Sequence, residues 1–321
     1  LGGFYGILLC ALGQEVGYPC VAGGAGRLTR ALVARAEARG VRVVAGASVT
    51  DVLVRRRAAV GVRLADGSDI RARRAVLADV DAVSLYLDLL PRAEVPAATL
   101  ADIRRFHREH ATVKVDWSLD APIPWSSPDA RRAPVVHVAE SVDALTVQAS
   151  ELARGLVPER PFLVLGQYSP ADTSRAPEGK ETAWAYTHVP RDADVDTVVE
   201  RIEREVEALA PGFGGLVRGR HVADARDLEA ANPNLVGGGL GGGTAQLHQQ
   251  LVFRPTPGFG RPETPVARLY LASASAHPGG GVHGGPGAIA ARAALTAWRA
   301  RRTTLAVAAL AVATPIYAAR R

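Results

Sequence analysis

Residues 268–294, RLYLASASAHPGGGVHGGPGAIAARAA, constrain this chain most, because a buried-strand pattern, a glycine loop and a helix start follow one another there. The run RLYLAS is short and apolar, of the kind found in a sheet covered on both faces. Residues 277–287 then hold six glycines in eleven positions, which lets backbone amides approach a ligand closely. From Ala288 the sequence AIAARAALTAWRA has helix-forming composition with small residues that permit tight packing. A strand, a glycine loop and a helix N-terminus in that order make a site for an electron-rich or anionic group. A plain glycine-rich turn between strand and helix reads the same way, so the order of residues has to narrow it.

Composition excludes several classes. Hydrophobic residues make up 48% and charged residues 22%, so the chain is globular, and 321 residues suit about one to two domains. The net charge of +6 is built almost wholly from arginine, since Lys114 and Lys180 are the only lysines, and the arginines are scattered rather than striped. That pattern argues against nucleic-acid binding. Cys10 and Cys20 cannot make a metal site by themselves, match no redox pair and read as small buried hydrophobes. His107 and His110 in HREH lack a third ligand, so no metal centre is expected there. No Gly-x-Ser-x-Gly occurs, which leaves a hydrolase without its nucleophile. With no charged lead or cleavage site at its start the chain shows no signal peptide, and with no methionine it reads as a piece of a longer protein.

Along the chain, residues 1–17 are apolar and read as a core or substrate-pocket helix. Residues 18–28, YPCVAGGAGRL, lead into a helix over 28–39 that Gly40 ends. Gly24-x-Gly26 lacks the third glycine of a dinucleotide fingerprint, because Thr29 stands in its place. Three β-branched runs over 49–78, with Asp66-Gly67 as one turn, predict a β-meander. ATVKVDWSLDAP, PFLVLGQYSP and AWAYTHVP read as strands, and residues 194–209 as an amphipathic helix. The tail, residues 303–319, is seventeen uncharged residues with Pro315 inside, short of the roughly 20 needed to span a bilayer. A terminal helix, packed or lying on a membrane surface, is favoured there over a true span.

LYLASASAHPGGGVHG resembles the C-terminal flavin-contacting segment of the phytoene desaturase-like NAD(P)/FAD-dependent oxidoreductases, of the same broad superfamily as the amine oxidases. The Pro19 to Leu28 pattern with its helix and GVRVV, and ARDLEAANPNLVGG followed by LHQQLVFRPTPG, resemble other parts of that family. The resemblance, over about residues 18–300, implies an α/β flavoprotein of two domains. An incomplete, discontinuous Rossmann-like FAD-binding domain with a β-meander would be assembled from 18–80 and 266–300. A mixed-sheet α+β substrate domain would span 81–265, preceded by a pocket segment at 1–17 and followed by the apolar tail 301–321.

It further implies FAD as cofactor, with Gly279, Gly280, Gly281, Val282, His283 and Gly284 lining the flavin. Ser275 would lie near the ribityl or pyrophosphate, and the Val49 backbone against the adenine, where a plain surface strand competes. His277 and His283 would either tune the flavin or merely stabilise the loop. The implied activity is hydride removal from a C–H bond of an apolar substrate to leave C=C. Relatives carry an acid where this chain has Gly239 or Leu240, and their N-terminal Gly-x-Gly-x-x-Gly unit has no counterpart here, so a missing N-terminal FAD-binding half is the expected partner and the chain alone should hold FAD weakly. The alternative is a non-catalytic apolar-ligand or membrane-associated binding module descended from such an enzyme. A cytoplasmic protein, peripheral at the membrane through its tail, fits either reading.

Overall fold

The computed structural model describes residues 2–318, with side chains described for 6–301 and 303. The chain is mixed α/β and divides into two compact units, residues 1–45 with 110–239 and residues 46–109 with 240–321.

In the first unit, helices α1 (Gly2–Glu15) and α2 (Gly26–Glu37) precede a five-stranded antiparallel sheet. Gly40, just past α2, takes φ 80°, the left-handed conformation of a helix stop. The first helix does not pack as a core element. Ile7 is 73% exposed and Leu8, Leu9 and Leu12 are also exposed, which corrects the expectation of burial drawn from its apolar composition.

The second unit opens with the meander β1 (Val49–Arg55), β2 (Ala58–Leu64) and β3 (Asp69–Arg71), antiparallel in that order. The β2–β3 turn uses Asp66 and Gly67, the latter at φ 83°, and the Asp66 carboxylate accepts from the Ser68 N–H at 2.9 Å. The β1–β2 turn is formed by Arg56 and Arg57, both at positive φ, in positions where glycine or asparagine is usual. β4 (Val76–Ala78) then leads out of the meander.

The large sheet of the first unit comprises β5 (Ala111–Leu119), β6 (Val135–Val138), β7 (Leu163–Gln167), β8 (Glu181–Val189) and β9 (Val217–Ala223), ordered β6-β7-β8-β5-β9. β8, ETAWAYTHV, alternates buried Ala183, Ala185 and Thr187 with half-buried Trp184, Tyr186 and His188, so one face packs and the other stays partly open. The packed face is covered by α4 (Val195–Leu209). Its Val198, Val199, Ile202 and Val206 recur at helical spacing and join Val113, Val115 and Leu165 in one core. Asp194 caps this helix, accepting from the Thr197 N–H at 3.1 Å. Between β6 and β7 lies α3 (Val142–Ala153), and after β9 a short helix, Ala225–Ala231, closed by a capping box of Asp224 and Asp227.

The second unit resumes with β10 (Leu269–Leu271), which pairs in parallel with β4 and leads to the terminal helix α5 (Gly285–Ala318). Its core joins Val52 and Ala59 of the meander to Leu85, Tyr86, Leu90 and Ile103 and to Leu269 and Leu271. Residues 81–109 fill the same core as the meander and last strand, and residues 18–45 cluster with the large sheet, where the Gly23 N–H donates to Asp172 at 2.5 Å. Among the described residues no helix is long and apolar enough to cross a membrane, and the side chains of the tail beyond residue 303 lie outside those described.

Candidate cofactor site

Buried β10 delivers the chain into the glycine loop. Leu269, Tyr270 and Leu271 are all buried, and the Ala272 N–H continues the parallel ladder to the Ala78 carbonyl at 2.8 Å. Buried Ser275 turns inward, its Oγ accepting from the Ala82 N–H at 3.2 Å. That bond seats the turn after β4, whose Asp81 is itself buried, accepts from the Ser84 N–H at 3.0 Å and pairs with Arg108 at 2.7 Å. A hydroxyl expected near a pyrophosphate thus has an internal partner.

The loop itself has two halves. Its inner half is closed by a second glycine loop at residues 241–243. A Cβ on Gly280 would lie 2.7 Å from the Gly241 carbonyl oxygen, and one on Gly242 would lie 2.7 Å from Ala274 Cβ. Glycine at both positions permits two backbones to touch. Arg254, 1% exposed, ties them together. Its Nε and Nη2 donate to the Ala274 carbonyl at 3.0 and 2.8 Å, Nη2 also to Gly241 and Gly242 at 2.9 and 3.1 Å, and Nη1 to Thr244 at 3.0 Å. A planar five-donor fork is the group that can satisfy so many carbonyls from one point. Glu109 completes the clasp, its carboxylate accepting from the Gly241 N–H. Burial raises the Glu109 carboxyl above its ordinary range, opposed by that N–H and by Arg254.

The outer half stays open. Residues 281–284 are exposed, Val282 at 93%, and a Cβ on Gly284 would meet nothing within 4 Å. Gly281 and Gly284 hold φ 148° and 60°, so the strip turns through conformations that favour glycine, directly before the N-terminus of α5. His283 Nδ1 accepts from the Gly285 N–H at 2.8 Å, fixing the start of that helix. His277 is half-buried, and its Nδ1 is enclosed without a hydrogen-bond partner. Val49 stands at the head of edge strand β1 in the same unit. The GVRVV run before it forms no strand, and Val41, Val43 and Val44 are exposed.

In the first unit, the open face of the large sheet carries an aromatic ribbon. Trp184 and Tyr186 stack at 6.0 Å with an interplanar angle of 8°, and His188 meets Tyr186 edge-on at 6.1 Å. Gly166, opposite Trp184, is required there, because a Cβ would lie 2.3 Å from the indole. Burial and nearby His110 hold the His188 imidazole below its ordinary pKa.

No family model matches the chain. Over 299 residues it is 30% identical to pyridine nucleotide-disulfide oxidoreductase domain-containing protein 2 of Rattus norvegicus, covering 87% of this chain and 51% of the rat protein. It is 27% identical over 318 residues to the phytoene desaturase (neurosporene-forming) of Cereibacter sphaeroides, covering 92% and 57%. The chain thus spans about half the length of the curated relatives it matches. Two solved structures are similar to it, an oxidoreductase from Methanosarcina mazei and putrescine oxidase bound to putrescine. The first has a TM-score of 0.57 at 15% identity over 86% of this chain and 55% of that one, the second 0.52 at 15% over 86% and 53%. The chain shares their fold.

Against that fold the residues divide by what they can do. Residues 281–284 and the α5 N-terminus offer exposed backbone to an electron-rich planar group, with the His283 ring lying against Gly281 and Gly285. Gly280 is explained by packing alone, and Gly279, at φ 107°, by backbone conformation beside Arg254. Sequence reasoning did not find Arg254 or Glu109. Neither lies in a recognisable spacing, and Glu109 sits in the HREH stretch, whose residue types invite only a metal reading.

Proposed function

We propose that this chain forms part of an FAD-dependent oxidoreductase that takes hydride from one C–H bond of a largely apolar substrate while the adjacent carbon releases a proton to solvent, leaving C=C. The observation that carries this reading is the open strip 281–284 between buried β10 and the start of α5, in a chain similar in sequence and fold to oxidoreductases. In this reading the second unit is the discontinuous FAD-binding part, with β4 and β10 its share of a Rossmann-like parallel sheet. The remaining phosphate cradle comes from a further FAD-binding half.

When bound, the flavin supplies the hydride acceptor and passes electrons onward. The protein's own residues do the rest. The backbone of 281–284 and the helix dipole of α5 hold the electron-rich edge of the ring. The Arg254 and Glu109 clasp keeps the loop in shape, and Ser275 keeps the turn at Ala82 in register with it. His277 lies beside the loop with an enclosed Nδ1 that has no partner, and His283 holds the Gly285 N–H through its Nδ1. Val49 offers an edge-strand backbone for the adenine.

The test is retention of flavin absorbance after incubation with FAD and desalting, for the chain alone and for the chain joined to its upstream coding sequence. Flavin should stay with the longer protein. Val282→Asp, at a 93% exposed position that the fold does not need, should weaken retention about tenfold by setting like charge against the flavin edge. Absence of flavin from both forms, or indifference to V282D, would remove the reading.

A further inference from the structure

We propose that the second unit carries a separate site for a phosphate group, in the cleft formed by Arg73, Arg74, Arg268, Arg301, Tyr270 and Trp298. The cleft encloses about 210 Å³. Because β4 and β10 run parallel, the arginines just ahead of them, Arg73 and Arg74 before β4 and Arg268 before β10, come together at one end of the pair. The glycine loop follows the opposite end of β10. Trp298 and Arg301 lie on α5 some thirteen or more residues past its N-terminus, roughly 20 Å along the helix. The cleft is therefore distinct from the candidate cofactor strip.

Two of its charges, Arg74 and Arg268, are held by neutral partners. The Arg74 guanidinium carbon stands 4.0 Å from the centroid of the Trp298 ring, a contact that orients the cation and leaves its outward donors available. Arg268, at φ 66°, donates from Nε to the Arg74 carbonyl at 2.6 Å and from Nη2 to the Ala72 carbonyl at 2.9 Å, so its acceptors are neutral. Arg301 approaches closely enough to act on the Tyr270 phenol, which burial and Glu263 perturb in the other direction. Among the described residues, none of the four guanidinium groups has a carboxylate within 4 Å. Four like charges around one small cleft favour an anion that joins them. A tetrahedral phosphate, with several acceptor oxygens and up to two charges, suits forked donors arriving from different directions.

The same helix runs on through the uncharged residues 303–318. A phosphate on a lipid would satisfy both the arginines and that apolar run, while a soluble phosphate would satisfy the arginines alone. The two sources are separable with the full chain and two probes, pyrophosphate in calorimetry and vesicles of phosphatidylglycerol with phosphatidylcholine in co-sedimentation. The pair Arg74→Gln with Arg301→Gln is compared with Arg104→Gln and Arg154→Gln, exposed arginines elsewhere that remove the same charge.

The cleft pair should lose affinity about 30-fold, as expected for two basic residues at an anionic surface, with the control pair nearly unchanged. Binding to anionic vesicles that pyrophosphate competes away identifies a lipid headgroup. Pyrophosphate binding without a preference for anionic over neutral vesicles identifies a soluble phosphate compound. Failure of both probes to bind, or an equal loss in the two variant pairs, overturns the proposal. Since neither probe involves flavin, the outcome is independent of the oxidoreductase reading.

Discussion

Gly280 and Gly284 stand four positions apart in one loop, yet a methyl group on the first would lie 2.7 Å from the Gly241 carbonyl oxygen, and one on the second would meet nothing within 4 Å. The inner half of the loop is solid, two backbones in contact with Arg254 donating into both. The outer half is exposed main chain ahead of a helix, with the His283 ring against Gly281. Glycine serves close packing in one half and reach toward a ligand in the other. The rigid half is what can hold the outer half in a fixed shape, because exposed glycine on its own gains no order from its surroundings.

Removing the clasp should have the largest effect. Arg254→Met leaves the carbonyls of Ala274, Thr244, Gly241 and Gly242 without their donor in a buried setting, and should cost about 4 kcal/mol of unfolding free energy. Arg254→Lys keeps the charge but loses the fork, and should recover only part of that loss. Urea midpoints of the three proteins decide the matter. Near-equal stability would mean that the inner half holds itself together by backbone contact alone.

A graded series of alanines sharpens the comparison. Gly243→Ala should be worst, about 3 kcal/mol, since φ is 125° and the new Cβ would lie 2.3 Å from the Phe106 ring. Gly280→Ala follows at about 2 kcal/mol, because the atoms it meets belong to backbone. Gly284→Ala should cost only about 1 kcal/mol, the strain of an L-residue at φ 60°. Any other order across these three variants would dissolve the division into a packed and an open half.

The elements that were legible in the sequence depend on neighbours close along the chain. The strand, loop and helix of residues 268–294, the meander with its Asp66-Gly67 turn, and α4 with its valines at helical spacing all announce themselves through local periodicity. The clasp does not, because Glu109 and Gly241 are 132 positions apart and no spacing rule joins them. By its residue types HREH invites only a metal reading. In the fold, Arg108 pairs with buried Asp81, Glu109 closes the second glycine loop, and His107 lies 3.2 Å from a ring nitrogen of His248. Ser275 reads from sequence as a neighbour of the ribityl or pyrophosphate, and in the fold its Oγ accepts from the N–H of Ala82, 193 residues away. The arginines of the cleft looked scattered for the same reason. Parallel pairing of two short strands, which composition cannot display, gathers Arg73, Arg74 and Arg268 at one end.

The smallest effect tests whether the packed half feels charge. Glu109 stays close to the guanidinium of Arg254 and accepts from the Gly241 N–H, yet burial is the strongest influence on its carboxyl and raises its pKa above the ordinary 4.5. An acid whose pKa is raised on folding binds more protons in the native than in the unfolded state. Its protonation therefore contributes stability that is fully present below about pH 4.5 and is lost as pH climbs through the native value. Glu109→Gln keeps a carbonyl oxygen for the Gly241 N–H and cannot ionise. Relative to this variant, the unmodified protein should be favoured most near pH 4 and lose ground steadily toward pH 8, by under about 1 kcal/mol in total. Urea midpoints of both proteins across that range give the difference directly. Parallel curves would place the Glu109 carboxylate outside the energetics of the inner half, and a difference growing with pH would mean that Arg254 outweighs burial and that the clasp is an ion pair first and a packing device second.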